Sequence, residues 1–443
     1  MAGQAGGQFG LFVEERLEAA LARARLSSAD RHLCQELVYG IVRWQVTLDW
    51  LIERKTDGRA QKPLLQNILR LGLYQIFWLD RIPNHAAVHE SVELAKHHGF
   101  GAQAGFINAV LRAYLREFDA TRQCLAGLKT SQPHLGYSHP QWLAARWQAR
   151  WGPDRAAQLM AWNNTPPKTF ARVNTLKTDA AKLLPQWRDE NVEYDFVRLP
   201  WLTATELIFE LKSHPPLGRL PSFQQGLFYI QDPSTLLAVC ELDPQPGQSI
   251  LDLCAAPGGK LTFIAQLIRN EGRLVARDTA PERLKLLQEN CARLGVTPVE
   301  IQGMVPPIDC ERAPVQSSGF KVERSRFQPS ALFDRVLLDA PCSNTGVMRR
   351  RVDLRWRIRP EEIQRLRGSQ LELLREAAPL LKPGGTLVYS TCSLEPEENQ
   401  EVVKEFLSGQ PAFKLERERE LLPFADGTDG AYVAKMTLPL TCP

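Results

Sequence analysis

The segment Ser249-Ile-Leu-Asp-Leu-Cys-Ala-Ala-Pro-Gly-Gly-Lys260 decides the fold of this protein. A short apolar run at 249–253 predicts a strand, the glycine-containing stretch 254–260 predicts a turn, and 261–270 has the pattern of a helix. The same strand–turn–helix order recurs through the C-terminal half of the chain. Strands that alternate with helices predict a parallel sheet with helices on both faces, which is an α/β fold.

The rest of this half extends the pattern. A second strand at 274–276 ends at Asp278, and the further predicted strands and helices are strands 299–302, 334–338 and 386–390 and helices 281–294 and 361–381. The stretch 305–333 has no clear periodicity, and we predict that it is a surface insertion of unassigned role.

The N-terminal part has a different pattern. Apolar residues recur at spacings of three and four from about 11 to 118, which predicts helices, including helices at 86–97 and 104–116. The following stretch is mixed, with a predicted strand at 168–174 and a predicted helix at 180–190. We therefore predict three domains: an all-α domain at 1–120, a small α+β connector at 121–230 and the α/β domain at 231–443.

Composition limits the classes of protein to consider. The 443 residues contain 54 basic and 50 acidic side chains, and a net charge of +4 neither requires nor excludes a nucleic acid partner. Nine cysteines, an odd number with no C-x-x-C pair, favour reduced thiols. With no apolar run of membrane-spanning length and no signal peptide pattern, we expect a cytoplasmic protein with no membrane association.

Histidine is confined to the first half of the chain, where the last one is His214. Chemistry in the C-terminal half must therefore use cysteine, carboxylate, lysine or tyrosine side chains, and no metal site is expected there. His85 and His89 share a helix face, but a third ligand is not apparent, and we interpret them as structural.

The glycine turn at 254–260 is compatible with several ligands. It is not a P-loop, since Cys254 stands in place of the first glycine and Leu261 in place of Ser or Thr, and it lacks the G-x-G-x-x-G of dinucleotide sites. A nucleoside without a pyrophosphate remains, and Asp278 at the end of the second strand is suited to bind ribose hydroxyls. A purely structural turn is the alternative.

Two cysteines lie just beyond predicted strands. Cys342 lies in Asp339-Ala-Pro-Cys-Ser343, and Cys392 lies in Tyr389-Ser-Thr-Cys-Ser393. Both thiols should emerge at the sheet edge that carries the glycine turn, where open α/β sheets bind ligands. A thiolate is a strong nucleophile once its pKa is lowered, but spacing alone does not tell which cysteine attacks.

These segments resemble those of the RNA cytosine-5 methyltransferases. The resemblance rests on the segments 252–260, 339–343, 389–393, 172–174, 231–234, 397–399 and 429–430. In the N-terminal part, 37–40 and 108–112 resemble the NusB-like RNA-binding domain. The combination is similar to the RsmB (Sun/Fmu) family of bacterial 16S rRNA methyltransferases, over nearly the whole chain from about 11 to 437.

The resemblance implies a Rossmann-like class I methyltransferase domain with an N-terminal all-α NusB-like domain and a small α+β connector. It further implies methyl transfer from S-adenosyl-L-methionine to C5 of a cytosine in 16S rRNA, the family target being cytosine 967. The partner would be 16S rRNA or a small-subunit precursor, bound by a monomer. A tRNA cytosine and a non-catalytic RNA-binding assembly factor are the alternatives.

The resemblance also assigns roles to residues. Cys392 would be the attacking thiol, Cys342 would assist product release, and Asp339 would hold the cytosine edge and the cofactor's reactive end. Lys260 would close the cofactor turn, and its charge would favour a thiolate. The implied cofactor-binding residues are Cys254, Ala255, Ala256, Pro257, Gly258, Gly259, Lys260, Asp278 and Asp339.

Three positions depart from the family pattern. Met304 stands where an acid near the adenine is usual, which predicts weaker cofactor binding. Asn344 replaces the glycine that usually follows Pro-Cys-Ser, which predicts an altered loop after Cys342. Leu261-Thr262 replaces the threonine that commonly follows Lys260. None of the three removes a residue with a presumed catalytic role.

A basic run follows the first of these cysteines. Six arginines against Asp353 give the stretch 349–359 a local charge of +5. The predicted RNA-binding residues are Arg349, Arg350, Arg351, Arg355 and Trp356, with the arginines on phosphates and the indole stacked on a base. The alternative is a solvated charge run with no ligand.

Overall fold

A computed structural model of the protein describes residues 12–202, 206–303 and 332–440. These residues form two compact units, one within Met1–Pro166 and Met348–Ile358 and the other within Pro167–Val347 and Arg359–Pro443. The structure thus divides the chain differently from the three predicted domains. Most of the predicted connector joins the C-terminal unit, and the helices before residue 167 join the N-terminal one.

The N-terminal unit is all-α, as predicted. Its helices are Val13–Arg23, Ser28–Arg43, Gln45–Thr56, Pro63–Trp78, Asn84–His97, Ala104–Arg116, Phe118–Ser131, Pro133–Gly136, Gln141–Trp162 and Leu354–Arg357. Apolar residues three and four apart line the core, among them Leu69, Leu73, Ile107 and Leu111, all without solvent exposure. The longest helix bends at Gly152, whose φ is +80°.

The C-terminal unit contains a small antiparallel sheet. Its strands are β1 (Thr169–Val173), β2 (Glu193–Phe196), β3 (Ile208–Ser213) and β4 (Phe228–Ile230), in the order β2-β3-β1-β4. Helix Ala180–Asp189 packs against this sheet, where its Trp187 contacts Phe209 and Phe228. The sequence predicted the first strand and this helix but not β2, β3 or β4.

Arg172 connects the small sheet to the glycine turn of the larger sheet. Its buried guanidinium donates hydrogen bonds to the Gly259 carbonyl at 2.7 Å, to the Thr262 hydroxyl at 2.9 Å and to the Gln231 side chain. Asn174 likewise donates to the carbonyl of Leu294 at 2.8 Å. These bonds explain why the small sheet does not form a unit of its own.

The larger sheet has seven strands. They are β5 (Ser249–Asp252), β6 (Arg273–Asp278), β7 (Val299–Gly303), β8 (Phe333–Asp339), β9 (Leu381–Thr391), β10 (Lys414–Leu421) and β11 (Ala431–Thr437). Their order is β10-β11-β9-β8-β5-β6-β7, and the five strands β5 to β9 are parallel to one another. The predicted parallel sheet is confirmed, but it has two additional antiparallel strands, β10 and β11, at one edge.

Helices cover both faces of this sheet, as predicted. Alternate residues of β5 enter different apolar clusters, Ile250 on one face and Leu251 on the other. Besides Ala180–Asp189, the helices of this unit are Pro221–Gln224, Leu236–Leu242, Gly259–Leu267, Pro281–Leu294, Pro360–Ala377, Gln400–Gly409 and Pro423–Asp426. In the described part of the chain, no helix has both the length and the apolar character needed to cross a membrane.

Candidate active site

The glycine turn follows β5 and is tied to the end of β6. The Ala256 amide donates to the Asp278 carboxylate at 3.1 Å, and the guanidinium of Arg283 lies 3.3 Å from the same oxygen. The other oxygen of Asp278 accepts from the Thr279 amide at 2.9 Å. Asp278 therefore shapes the turn, and its predicted contact with a ribose stays a prediction.

Gly258 is required at the end of this turn. Its φ of +105° is unfavourable for residues with a side chain, and a Cβ atom there would lie 2.8 Å from Leu287 Cδ1. Helix Gly259–Leu267 begins at the next residue. The backbone can therefore pass close to Leu287 and leave the helix N-terminus at the edge of the sheet.

Asp252, the last residue of β5, is a site residue to which the sequence analysis assigned no role. It is buried, and neither carboxylate oxygen has a hydrogen-bond partner among the described residues. Burial, with a contribution from the charge of Asp339, raises the pKa of Asp252 to about 7. A buried carboxylate in this state suits a cationic ligand group, because an opposite charge would offset its desolvation.

Lys260 and Asp339 form an ion pair where β8 ends. The Lys260 ammonium lies 2.6 Å from one carboxylate oxygen of Asp339, and the Ser390 hydroxyl donates to the other at 2.8 Å. Burial disfavours the charge on Lys260, but attraction to Asp339, and also to Cys392, raises the pKa of this lysine. The site thus keeps a cation whose charge interacts with Cys392 as well as with Asp339.

The two thiols lie at the same sheet edge, as predicted, and they are in contact there. Cys342 Sγ and Cys392 Sγ are 3.3 Å apart, although 50 residues separate them in the sequence. The hydrogen bond to Cys392 and burial raise the pKa of Cys342 well above its ordinary value. Cys342 is therefore a protonated thiol in contact with the other sulfur.

Asn344 contributes to both cysteine segments. Its amide nitrogen donates to the Cys342 carbonyl at 2.7 Å, so that its amide oxygen faces Cys392, whose thiol donates to it at 3.0 Å. The φ of Asn344 is +59°, a value that favours glycine and that asparagine tolerates better than most residues. This conformation explains how asparagine is accommodated at this position, and the altered loop expected from the loss of the glycine stays a prediction.

A close backbone crossing holds the segment after Cys342 in place. The Gly346 amide donates to the Cys392 carbonyl at 2.9 Å, and the Gly430 amide donates to the Gly346 carbonyl at 2.9 Å. A Cβ atom on Gly346 would lie 2.8 Å from both the Cys392 carbonyl oxygen and the Gly430 Cα. The Asp429-Gly430 segment of the resemblance therefore supports the thiol loops.

The prediction of an exposed arginine surface is wrong for Arg349 and Arg355. They are 2% and 0% exposed, and the Arg355 guanidinium donates to the Ser138 carbonyl at 3.1 Å and to the Asn164 side chain at 2.8 Å. Both guanidinium groups lie inside the N-terminal unit, where RNA phosphates cannot reach them.

The other three predicted RNA-binding residues are more accessible. Arg351 is exposed, whereas Arg350 and Trp356 are partly buried, and the Trp356 indole donates to the Val42 carbonyl at 2.7 Å.

Met304 and most of the predicted insertion at 305–333 lie outside the described residues. Within the described ranges, no group of three or more His, Cys, Asp or Glu side chains could hold a metal ion.

Comparison with known proteins identifies three segments of the chain. The model of the 16S rRNA methyltransferase RsmB/F family matches 239–437, that of the NusB family matches 2–116, and that of a ferredoxin-like domain of RsmF/B-like methyltransferases matches 139–200. Among solved structures, a methyltransferase homolog protein from Pyrococcus horikoshii is 30% identical with a TM-score of 0.54. The match covers 68% of this chain and 96% of that one.

Similarity to curated proteins extends over almost the entire length. The probable ribosomal RNA small subunit methyltransferase B of Bacillus subtilis is 36% identical over 95% of this chain and 93% of its own. The ribosomal RNA small subunit methyltransferase B of Escherichia coli is 35% identical over 93% of this chain and 91% of its own. The chain belongs to the RsmB/F family of 16S rRNA methyltransferases.

Proposed function

We propose that this protein transfers a methyl group from S-adenosyl-L-methionine to C5 of a cytosine in 16S rRNA, through a covalent bond between Cys392 and C6 of the base. The observation that carries the proposal is the 3.3 Å approach of Cys342 and Cys392. This pair lies next to the Lys260–Asp339 ion pair, at the sheet edge that also carries the glycine turn.

The residues at this edge fit the proposed cofactor, which supplies a methyl group bound to a positively charged sulfur. The buried carboxylate of Asp252 suits the ammonium group of its methionine part. In the proposal the turn Cys254–Lys260 binds the nucleoside close to its backbone, and Asp278 and Asp339 complete the proposed set. The oxygens of Asp252, to which no side chain of the described residues donates a hydrogen bond, are the strongest support for a cationic ligand at this edge.

Nucleophilic attack is the role proposed for Cys392. C5 of cytosine is a weak nucleophile until its double bond to C6 is broken. When the Cys392 thiolate adds to C6, the electron pair of that double bond moves toward C5, which can then accept the methyl group. The Lys260 ammonium stabilises the thiolate, and Asp339 binds the polar edge of the base.

Release of the product is the role proposed for Cys342. The C5 proton must leave and the bond from Cys392 to C6 must break, so that the ring double bond forms again. Cys342 holds a proton beside the other sulfur, since its pKa is raised. It donates this proton to the departing Cys392 and receives the C5 proton, and both cysteines end as thiols.

Two alanine variants test these roles on RNA that carries the target. We expect Cys392→Ala to abolish methylation and to form no covalent adduct. We expect Cys342→Ala to accumulate a protein–RNA adduct that resists denaturation, because release is blocked. Gel electrophoresis under denaturing conditions and incorporation of labelled methyl groups measure both. An exchange of the two phenotypes would overturn the assignment.

The choice of 16S rRNA follows the names of the relatives and the NusB family match. Bisulfite sequencing of rRNA and tRNA from a deletion strain, with and without the restored gene, tests it. We expect one 16S rRNA cytosine to lose methylation and to regain it with the parent gene but not with Cys392→Ala. Loss at a tRNA cytosine, or no loss anywhere, would point to the corresponding alternative.

A further inference from the structure

Glu398 is a buried carboxylate in the turn between Cys392 and helix Gln400–Gly409, with no exposed surface. Its side chain accepts hydrogen bonds from two other segments of the C-terminal unit as well as from its own turn. The donors are the Ser343 amide at 2.8 Å, the Ser343 hydroxyl, the Ser393 hydroxyl at 2.5 Å and the Gln370 amide nitrogen at 3.1 Å.

Two of these donors, Ser343 and Ser393, are neighbours of the two site cysteines in the sequence. Ser343 directly follows Cys342, and Ser393 directly follows Cys392. Their hydroxyl oxygens are 3.1 Å apart, and each hydroxyl is hydrogen-bonded to the same carboxylate oxygen of Glu398. One side chain therefore joins the two loops that carry the thiols.

An ionised carboxylate suits this position better than an amide. Both of its oxygens accept hydrogen bonds here, and every surrounding partner donates one. A glutamine would direct an N–H group toward one of these donors and leave that donor without an acceptor. Burial of a charge is unfavourable, so a network of this kind is stable only when its hydrogen bonds are satisfied.

We propose that Glu398 is a positioning residue that sets the distance between the Cys342 and Cys392 sulfurs. Within the described ranges no hydrogen bond joins its carboxylate to either sulfur, so that it acts through Ser343 and Ser393. The proposal rests on the proposed function and deepens it. A protein whose two sulfurs lie at the wrong distance would still bind RNA and cofactor, but protons would pass slowly between Cys342 and Cys392.

The distance between the sulfurs can be tested without any methyl transfer. Incubation with oxidised dithiothreitol converts two adjacent thiols into a protein disulfide, while the reagent takes up their two electrons and two protons. Peptide mapping by mass spectrometry follows the Cys342–Cys392 disulfide specifically. We expect Glu398→Gln to form it at least tenfold more slowly than the parent protein. Glu401→Gln, an exposed carboxylate three residues further on, should react at the parent rate.

Methyl transfer is the second readout. For Glu398→Gln we expect kcat to fall at least tenfold while the KM values for RNA and cofactor stay within about threefold. If this variant does not fold, Ser393→Ala replaces it, since that change removes one donor and keeps the carboxylate. We expect Ser393→Ala to slow both the disulfide and kcat severalfold.

The outcomes separate the two proposals. A folded Glu398→Gln protein with parent rates of disulfide formation and turnover would overturn the role of Glu398, and so would parent rates in Ser393→Ala if only that variant folds. A parent protein that methylates no RNA would overturn the proposed function, and the disulfide rates would still decide whether Glu398 positions the thiols.

Discussion

At the scale of single residues, the buried carboxylate of Asp252 has an energetic consequence. Its pKa rises from 3.8 in a model peptide to about 7 in the folded protein, with burial as the main cause. The folded state therefore binds this proton more tightly than the unfolded chain. Binding of this proton stabilises the folded state by up to about 4 kcal/mol. This stabilisation is complete below pH 3.8 and is lost as the pH rises to about 7.

Asp252→Asn should remove this pH dependence, because an amide does not titrate in this range. Chemical denaturation at pH 5 and pH 8 measures the effect, and we expect the free energy of unfolding to fall less with pH in the variant than in the parent. Titration calorimetry should show at least tenfold weaker binding of S-adenosylmethionine. If the free energy of unfolding changed equally with pH in the variant and the parent, and the cofactor affinity were unchanged, the assignment of Asp252 as a ligand for the ammonium group would be contradicted.

Asn344→Gly is a second prediction at this scale. The Asn344 amide oxygen accepts a hydrogen bond from the Cys392 thiol, and this bond must break before the sulfur is alkylated. Glycine tolerates the φ of +59°, and its introduction removes that acceptor. A hydrogen bond contributes about 1 kcal/mol, which predicts roughly fivefold faster alkylation of Cys392 by iodoacetamide at pH 8. Mass spectrometry of the Cys392 peptide measures the rate, and equal or slower alkylation would argue against this role.

At the scale of structural elements, the turn between β5 and the following helix depends on Gly258. Gly258→Ala combines an unfavourable φ with a contact to Leu287, whereas Gly247→Ala has a φ of +83° in open space. Gly247→Ala should cost about 1 kcal/mol of stability from backbone strain alone. Gly258→Ala should cost at least about 1 kcal/mol more and also weaken cofactor binding.

Urea denaturation of both glycine variants and calorimetric titration with S-adenosylmethionine check this prediction. Gly247→Ala serves as the matched control for the strain of a positive φ. Equal stability losses in the two variants would mean that Leu287 moves aside freely, and unchanged cofactor affinity in Gly258→Ala would separate this turn from the binding site.

Strand β10, one of the strands that the sequence did not predict, lacks an apolar pattern. Strand β10 has the sequence Lys-Leu-Glu-Arg-Glu-Arg-Glu-Leu, and most of its side chains are exposed. It lies at the sheet edge and pairs only with β11, so few of its residues are required to be apolar. Strands β5, β6 and β8 lie inside the sheet with helices on both faces, and their apolar runs are easy to recognise.

At the scale of the whole molecule, the basic run at 349–359 divides into arginines with different roles. The buried Arg355 donates hydrogen bonds to uncharged acceptors of the N-terminal unit, and burial lowers its pKa to about 9. Arg351 is exposed, with its guanidinium 4.7 Å from the centre of the Phe12 ring.

Arg355→Ala should lower the free energy of unfolding by at least about 2 kcal/mol, because several buried acceptors lose their donor. Arg351→Ala should change it by less than about 1 kcal/mol but should weaken RNA binding and reduce the salt dependence of that binding by about one counterion. Thermal denaturation and filter binding at several salt concentrations measure these effects. Equal stability losses would contradict the division, and unchanged RNA binding in Arg351→Ala would favour a solvated charge run.

The sequence by itself determined the all-α N-terminal part, the parallel sheet, the glycine turn and the two cysteines, because these depend on local periodicity and on residue types at strand ends. Only the tertiary structure decided that the thiols are 3.3 Å apart, that Asp252 is buried with no hydrogen-bond partner among the described residues, and that Arg355 lies inside a unit. Burial and distance depend on which distant segments pack together. A charged side chain has the same letter in the sequence whether it faces solvent or a buried carbonyl.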